Sequence, residues 1–173
     1  MRIALPYGKE REVTIDVPDE NVYFVADRED IPALRDVGEE LRRLLRSPTG
    51  TPPLPELVKP GDKVVILVDD ITRPTPQHVI LPTLLDELNA CGIPDKDIEV
   101  IIALGTHRYM DEREIRERYG DTVVERVPVI NHDYKDPRNL VDMGRTESGI
   151  PVSVNKKVYD CLLYTSPSPR DRG

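Results

Sequence analysis

The chain has 173 residues, 32 acidic and 24 basic, with a formal net charge of −8 at pH 7 and 38% hydrophobic residues. That balance argues against a nucleic-acid-binding protein, which needs clustered Lys and Arg, and no apolar run approaches the ~20 residues that cross a bilayer. The start, MRIALPYGKE, has no apolar secretory core, and Cys91 and Cys161 lie outside any zinc-ligand spacing, so a cytoplasmic protein with free thiols and no membrane partner is expected.

The first elements read as extended. Ile3 and Leu5 alternate with polar neighbours, Tyr7-Gly8-Lys9 allows a turn, and Val13, Ile15 and Val17 alternate again, which predicts a β-hairpin. A helix is predicted over 32–46, with Leu34, Val37, Leu41, Leu44 and Leu45 on one face and Asp30 before Pro32 as its cap. The proline-rich stretch 47–60 reads as a loop or extended connection. Residues 64–68, VVILV, have no polar face, as expected of a parallel strand covered on both sides. A helix over 77–90 follows, with Thr75 as cap and Pro76 at its first position. A second buried strand is predicted over 98–104 and a charged helix over 111–119, opened by Asp111 and Glu114 at capping-box spacing and stopped by Gly120. The last predicted strand is 127–130. This alternation describes an α/β fold: a Rossmann-like parallel sheet with flanking helices and an N-terminal β-hairpin addition.

In open parallel sheets, ligands bind beyond the carboxyl ends of the strands, where loops emerge and helix N-termini offer free N–H groups. Three loops qualify, 69–76, 105–110 and 131–137. They hold Asp69, Asp70, Thr72, Arg73, Thr75, Thr106, His107, Arg108, His132 and Asp133. Arg73 stands three and four residues after two carboxylates, so it reads either as a local salt bridge or as a bidentate clamp on a carboxylate or phosphate, stiffened by Pro74 and Pro76. His107 falls at a strand tip and reads either as solvated surface or as a proton carrier near neutral pH. His132 presents the same choice, and His78 reads as structural or solvated. The chain contains no GxGxxG, GxxxxGK[ST] or GxSxG segment and no short histidine metal motif. From the residues alone, the reading is an α/β domain that binds a small anion, with a candidate acid/base histidine.

Asp69-Asp70-Ile71-Thr72-Arg73-Pro74-Thr75-Pro76, joined to Gly105-Thr106-His107-Arg108, resembles the N-terminal domain of the nickel-dependent lactate racemase family. Asn131-His132-Asp133 and the segment 149–155, GIPVSVN, support the resemblance, which extends over residues 1–161. It implies racemisation or epimerisation of a small 2-hydroxy acid by an isomerase that uses a nickel-pincer nucleotide derived from nicotinic acid. Hydride leaves C2 for the cofactor while a histidine takes the hydroxyl proton. By the resemblance His107 and Arg73 are catalytic, and Asp70 and Thr72 are cofactor-binding companions. The family's second acid/base histidine and its tethering lysine belong to a PHxxAGxSGGxK-type segment that this sequence lacks, as it lacks the nickel-ligand histidine, so no metal ligand is assigned and the chain alone is expected to be inactive. Residues 162–173, LLYTSPSPRDRG, match neither the family nor the α/β pattern; they resemble translated adapter sequence and are expected to be a non-native, disordered tail. The alternative function is a non-catalytic α/β domain that holds a small anion at the same strand tips.

Overall fold

The computed structural model describes residues 1–8, 11–26, 31–161 and 164–165. The chain forms two compact units, Met1–Ala33 and Leu34–Gly173.

In the first unit, β1 (Arg2–Tyr7) and β2 (Arg11–Asp16) pair antiparallel, with Ile3 opposite Ile15 and Leu5 opposite Val13. The predicted hairpin is present, and the matched alternation of its two strands sets the register. The Met1 ammonium closes its open end by donating to the Val17 carbonyl at 2.7 Å.

The second unit opens with α1 (Val37–Arg46), five residues later than the sequence pattern suggests. Asp36 caps it, its carboxylate accepting the Glu39 N–H at 2.8 Å, so the helix starts where an N-terminal N–H finds a side-chain partner. The proposed cap, Asp30, lies outside the described residues. Within the proline-rich connection, a short α2 (Leu54–Leu57) replaces the expected irregular chain, because Leu54 and Val58 are drawn into the core.

Two strands then form the centre: β3 (Val64–Val68) and β4 (Ile98–Ile102) run parallel, with Ile66 beside Val100. Between them α3 (Gln77–Ala90) buries Leu81, Leu85 and Leu88 against the sheet. Its bounds match the sequence reading, but its cap does not. Pro76 occupies the cap position, and the Thr75 hydroxyl donates to Asp69 instead. Glu87 on α3 accepts from Arg46 at 3.1 Å and so ties α1 to α3. Gly92, just past the end of α3, turns the chain with φ +88°, and a Cβ there would stand 2.8 Å from Cγ of Pro60.

The predicted capping box opens α4 (Glu112–Tyr119): the Asp111 carboxylate accepts the Glu114 N–H while the Glu114 carboxylate accepts the Asp111 N–H. Gly120 stops α4, and an unforeseen α5 (Asp121–Arg126) follows it directly, burying Val123. The third parallel strand, β5 (Val129–Asn131), starts two residues later than expected and pairs with β4. A second hairpin, β6 (Leu140–Arg145) and β7 (Pro151–Asn155), and a short α6 (Lys156–Tyr159) close the described part of the unit. Of residues 162–173 only 164–165 are described; they form β8 (Tyr164–Thr165), parallel to β3, which gives the sheet order β5-β4-β3-β8.

Consecutive residues of β3 and β4 are buried, so both faces of the sheet are covered. Val64, Ile66, Val100, Ile102, Tyr119 and Val123 join the α3 leucines in one cluster. Burying a side chain such as Leu85, 0% exposed, contributes about 1.5–3 kcal/mol. This core fixes where the strands end, and the polar loops emerge there. Among the described residues no helix is long and apolar enough to cross a membrane, and Cys91 and Cys161 are free thiols.

Candidate functional site

The last buried residue of β3 is Val68, and the chain leaves the sheet at Asp69-Asp70. These adjacent carboxylates take separate partners. Asp69 accepts from Gln77 Nε2 at 3.1 Å and from Arg118 Nη2 at 2.8 Å through one oxygen, and from the Thr75 hydroxyl through the other. The Tyr119 hydroxyl donates to the Asp69 carbonyl at 2.8 Å. Asp69 thus latches the 69–77 loop to α4.

Asp70 is 4% exposed. Its Oδ1 accepts the Thr72 N–H at 3.0 Å and the Thr72 hydroxyl at 2.6 Å, and its Oδ2 pairs with Nδ1 of His107. Burial alone would raise the Asp70 carboxyl, but the Thr72 hydroxyl, His107 and the Thr72 amide outweigh it and hold the group below the usual carboxylate range. Gly105, at φ +59°, turns the chain after β4, and the His107 N–H donates to the Leu104 carbonyl at 3.0 Å. The imidazole therefore sits at the strand tip, partly exposed, with Nδ1 committed and no recorded partner for Nε2 among the described residues.

Arg73 shares this loop, and its N–H donates to the Asp70 carbonyl at 3.2 Å. The local salt bridge that the sequence allowed does not form, since Asp69 is taken by Arg118 and Asp70 by His107. Among the described residues the Arg73 guanidinium has no ion-pair partner. Arg108, by contrast, is committed: it grips Glu114 in a fork at 2.6 and 2.8 Å, and that pairing, with the Asp111 amide, lowers the Glu114 carboxyl to about 2.

The third loop is joined to the second. The Asn131 side chain accepts the Met110 N–H at 3.0 Å and donates to the Met110 carbonyl at 2.9 Å, while the Tyr109 hydroxyl donates to Asp133 at 2.5 Å. That carboxylate, together with desolvation, pushes the Tyr109 phenol up to about 12. His132 is held from a different direction. Asn155 uses its oxygen to accept the Lys157 and Val158 N–H groups at the start of α6, so its amide nitrogen faces Nδ1 of His132 at 2.9 Å. Burial lowers the His132 pKa despite the neighbouring Asp133.

The structure therefore brings Asp70, Thr72, Arg73 and His107 onto the carboxyl ends of β3 and β4. Arg118, Tyr119, Gln77 and Asn131, which brace these loops, were not singled out as site residues from sequence. Arg118 follows Asp69 by 49 positions, and no local pattern signals a pairing at that separation. Lys156 and Lys157, the lysines nearest the end of the described chain, pair with Asp160 and Glu99. Among the described residues no group of three His, Cys, Asp or Glu side chains is placed to hold a metal ion. A cavity of about 400 Å³ lies at the opposite end of the sheet, where its Lys63 and Lys157 are paired with Asp97 and Glu99.

The model of the lactate racemase N-terminal domain matches residues 7–166. The chain is 31% identical over 166 residues to the lactate racemase of Thermoanaerobacterium thermosaccharolyticum and 32% identical over 166 residues to that of Lactiplantibacillus plantarum. These alignments cover 95% of the chain but only 38% and 39% of the relatives' lengths. The fold superposes on the lactate racemase apoprotein from T. thermosaccharolyticum with a TM-score of 0.71 and 29% identity, over 93% of this chain and 37% of that one. A protein of known crystal structure from Thermotoga maritima matches with a TM-score of 0.56 and 25% identity, over 71% of this chain and 30% of that one. The chain belongs to the lactate racemase N-terminal domain family.

Proposed function

We propose that this domain is the part of a lactate-type 2-hydroxy-acid racemase that holds the substrate carboxylate and carries the hydroxyl proton. The observation that supports this most is the division of charge in the 69–76 loop. Both carboxylates are spoken for, one of them by the imidazole of His107, while the Arg73 guanidinium on the same loop has no ion-pair partner among the described residues. A planar guanidinium matches a carboxylate with two parallel N–H···O bonds. The neighbouring imidazole then accepts the proton of the 2-hydroxyl group and returns it after the carbon centre has become planar.

The reaction requires loss of a proton from oxygen and of hydride from C2, which gives a 2-keto acid; hydride return to the other face inverts the centre. In the resembled family, a nickel-pincer nucleotide supplies the hydride-accepting chemistry. The described residues do not fit as its holder, because they present no metal-binding cluster and Lys156 and Lys157 are paired elsewhere. No metal ligand or tethering lysine is therefore assigned among the described residues, and Asp70 and Thr72, cofactor companions by the resemblance, are engaged with each other and with His107. The 173-residue chain by itself is expected not to racemise lactate.

The test is a titration of the 15N-labelled chain with L- and D-lactate. Amide shifts are expected at Arg73 and His107 at millimolar ligand, and Arg73→Gln should weaken binding at least tenfold. No shift at either position, or binding undiminished in Arg73→Gln, would overturn the carboxylate assignment.

A further inference from the structure

We propose that Asp70 is a positioning residue that fixes His107 in the Nδ1–H tautomer, so that Nε2 is the atom that exchanges the substrate proton. The inference deepens the reading of His107 as the acid/base group and rests on it. It follows from counting donors. An ionised carboxylate only accepts hydrogen bonds, and the depressed pKa of Asp70 keeps it ionised at neutral pH. Nδ1 of His107 must therefore donate to Oδ2, which leaves Nε2 of the neutral ring as a bare lone pair. When Nε2 takes a proton, the imidazolium that forms is opposed by the Asp70 charge, as an orienting carboxylate does in hydrolytic triads.

Thr72 makes the arrangement one-way. Its N–H at 3.0 Å and its hydroxyl at 2.6 Å both address Oδ1. In an Asp70→Asn variant, the amide oxygen must stay at the Oδ1 position to meet the Thr72 N–H, so the NH2 group faces His107. Nδ1 then has to accept, and the proton moves to Nε2. The substitution preserves shape but inverts the tautomer, and it removes the base from the face where it is needed.

His132 supplies an internal reference with the opposite polarity. The Asn155 oxygen is held by two N–H groups of α6, so its NH2 donates to Nδ1 of His132, and that ring carries its proton on Nε2. The same chain thus holds two histidines in opposite tautomers, each set by a residue whose own orientation is fixed from behind.

Long-range 1H–15N correlation of the imidazoles at pH 8 reads this directly. In the 173-residue chain, His107 should show a protonated Nδ1 and an unprotonated Nε2, and His132 the reverse. Asp70→Asn should move His107 into the Nε2–H pattern and leave His132 unchanged. In a longer, cofactor-loaded racemase that contains this domain, the same variant should lower kcat for lactate by about 10²–10⁴ with little change in KM. An Nε2–H or averaged His107 in the parent chain would overturn the proposal, whether or not the variant folds. So would an Asp70→Asn spectrum with the His107 tautomer retained. The underlying reading fails separately: if His107→Gln leaves racemisation intact, the tautomer result stands and the acid/base role does not.

Discussion

Removing the Arg118 guanidinium tests how far the candidate site depends on its long-range brace. Arg118 Nη2 lies 2.8 Å from Asp69 Oδ1, and the two side chains are 12% and 16% exposed. At an effective dielectric of about 20, a pair at that distance attracts by roughly 6 kcal/mol before desolvation, and breaking a buried pair from one side costs about 3–5 kcal/mol. Two features place Arg118→Met at the lower end. Arg118 Nε is buried with no hydrogen-bond partner among the described residues, so desolvation already weighs against the pair, and Thr75 and Gln77 continue to donate to the stranded carboxylate. A loss of about 3 kcal/mol lowers Tm by roughly 6–12 °C in a domain of this size. Thermal unfolding followed by circular dichroism measures it, with urea midpoints as a second readout. The double variant Asp69→Asn/Arg118→Met should be less destabilised than the sum of the single ones, because the second change removes a charge that the first leaves unpaired. If Arg118→Met melts within 2 °C of the parent, on the order of 1 kcal/mol or less, the latch contributes little and the loop is held by something else.

Gly92→Ala should destabilise by roughly 1–3 kcal/mol, because the left-handed backbone disfavours any Cβ and this one meets Pro60 at 2.8 Å; an unchanged urea midpoint would contradict that. Glu114→Gln tests the depressed carboxyl. A group whose pKa is lowered to about 2 in the fold stabilises fully above the unfolded value of 4.5 and loses that contribution as pH falls toward 2. The gap in urea midpoint between parent and variant should therefore close between pH 5 and pH 2. A gap that stays constant over that range would show that Arg108 does not favour the ionised form.

The parts of the fold that could be read from sequence are those with local causes. The unbroken apolar run at 64–68 is a strand covered on both faces, the α3 bounds follow its apolar stripe, and the Asp111–Glu114 spacing is a capping box in fact. Cap choice was less legible. Thr75 has the side chain of a good cap, but Asp69 competes for its hydroxyl from six residues away and wins. The α1 start followed Asp36 for the same reason: the side chain that reaches an N–H decides it. α5 was hidden because Gly120 reads as an end, and here it joins two helices.

At the site, the strand-tip rule picks out loops that the structure does bring to the carboxyl ends of β3 and β4, with Asp70, Thr72, Arg73 and His107 on them. It did not reveal which carboxylate serves which partner, since Asp69 and Asp70 are chemically identical and one residue apart. Their partners come from α4 and from the loop after β4, and only the three-dimensional arrangement separates the latch from the residue that grips His107.

If His107 carries the proton of a 2-hydroxy acid beside a carboxylate held by Arg73, racemisation must depend on its imidazole. The interconversion of L- and D-lactate, followed by chiral chromatography in a cofactor-loaded racemase containing this domain with His107→Gln, should then fall at least ~10²-fold in kcat, the lower range for removing a general acid/base group, with the domain still folded. Interconversion within a few-fold of the parent would contradict that role.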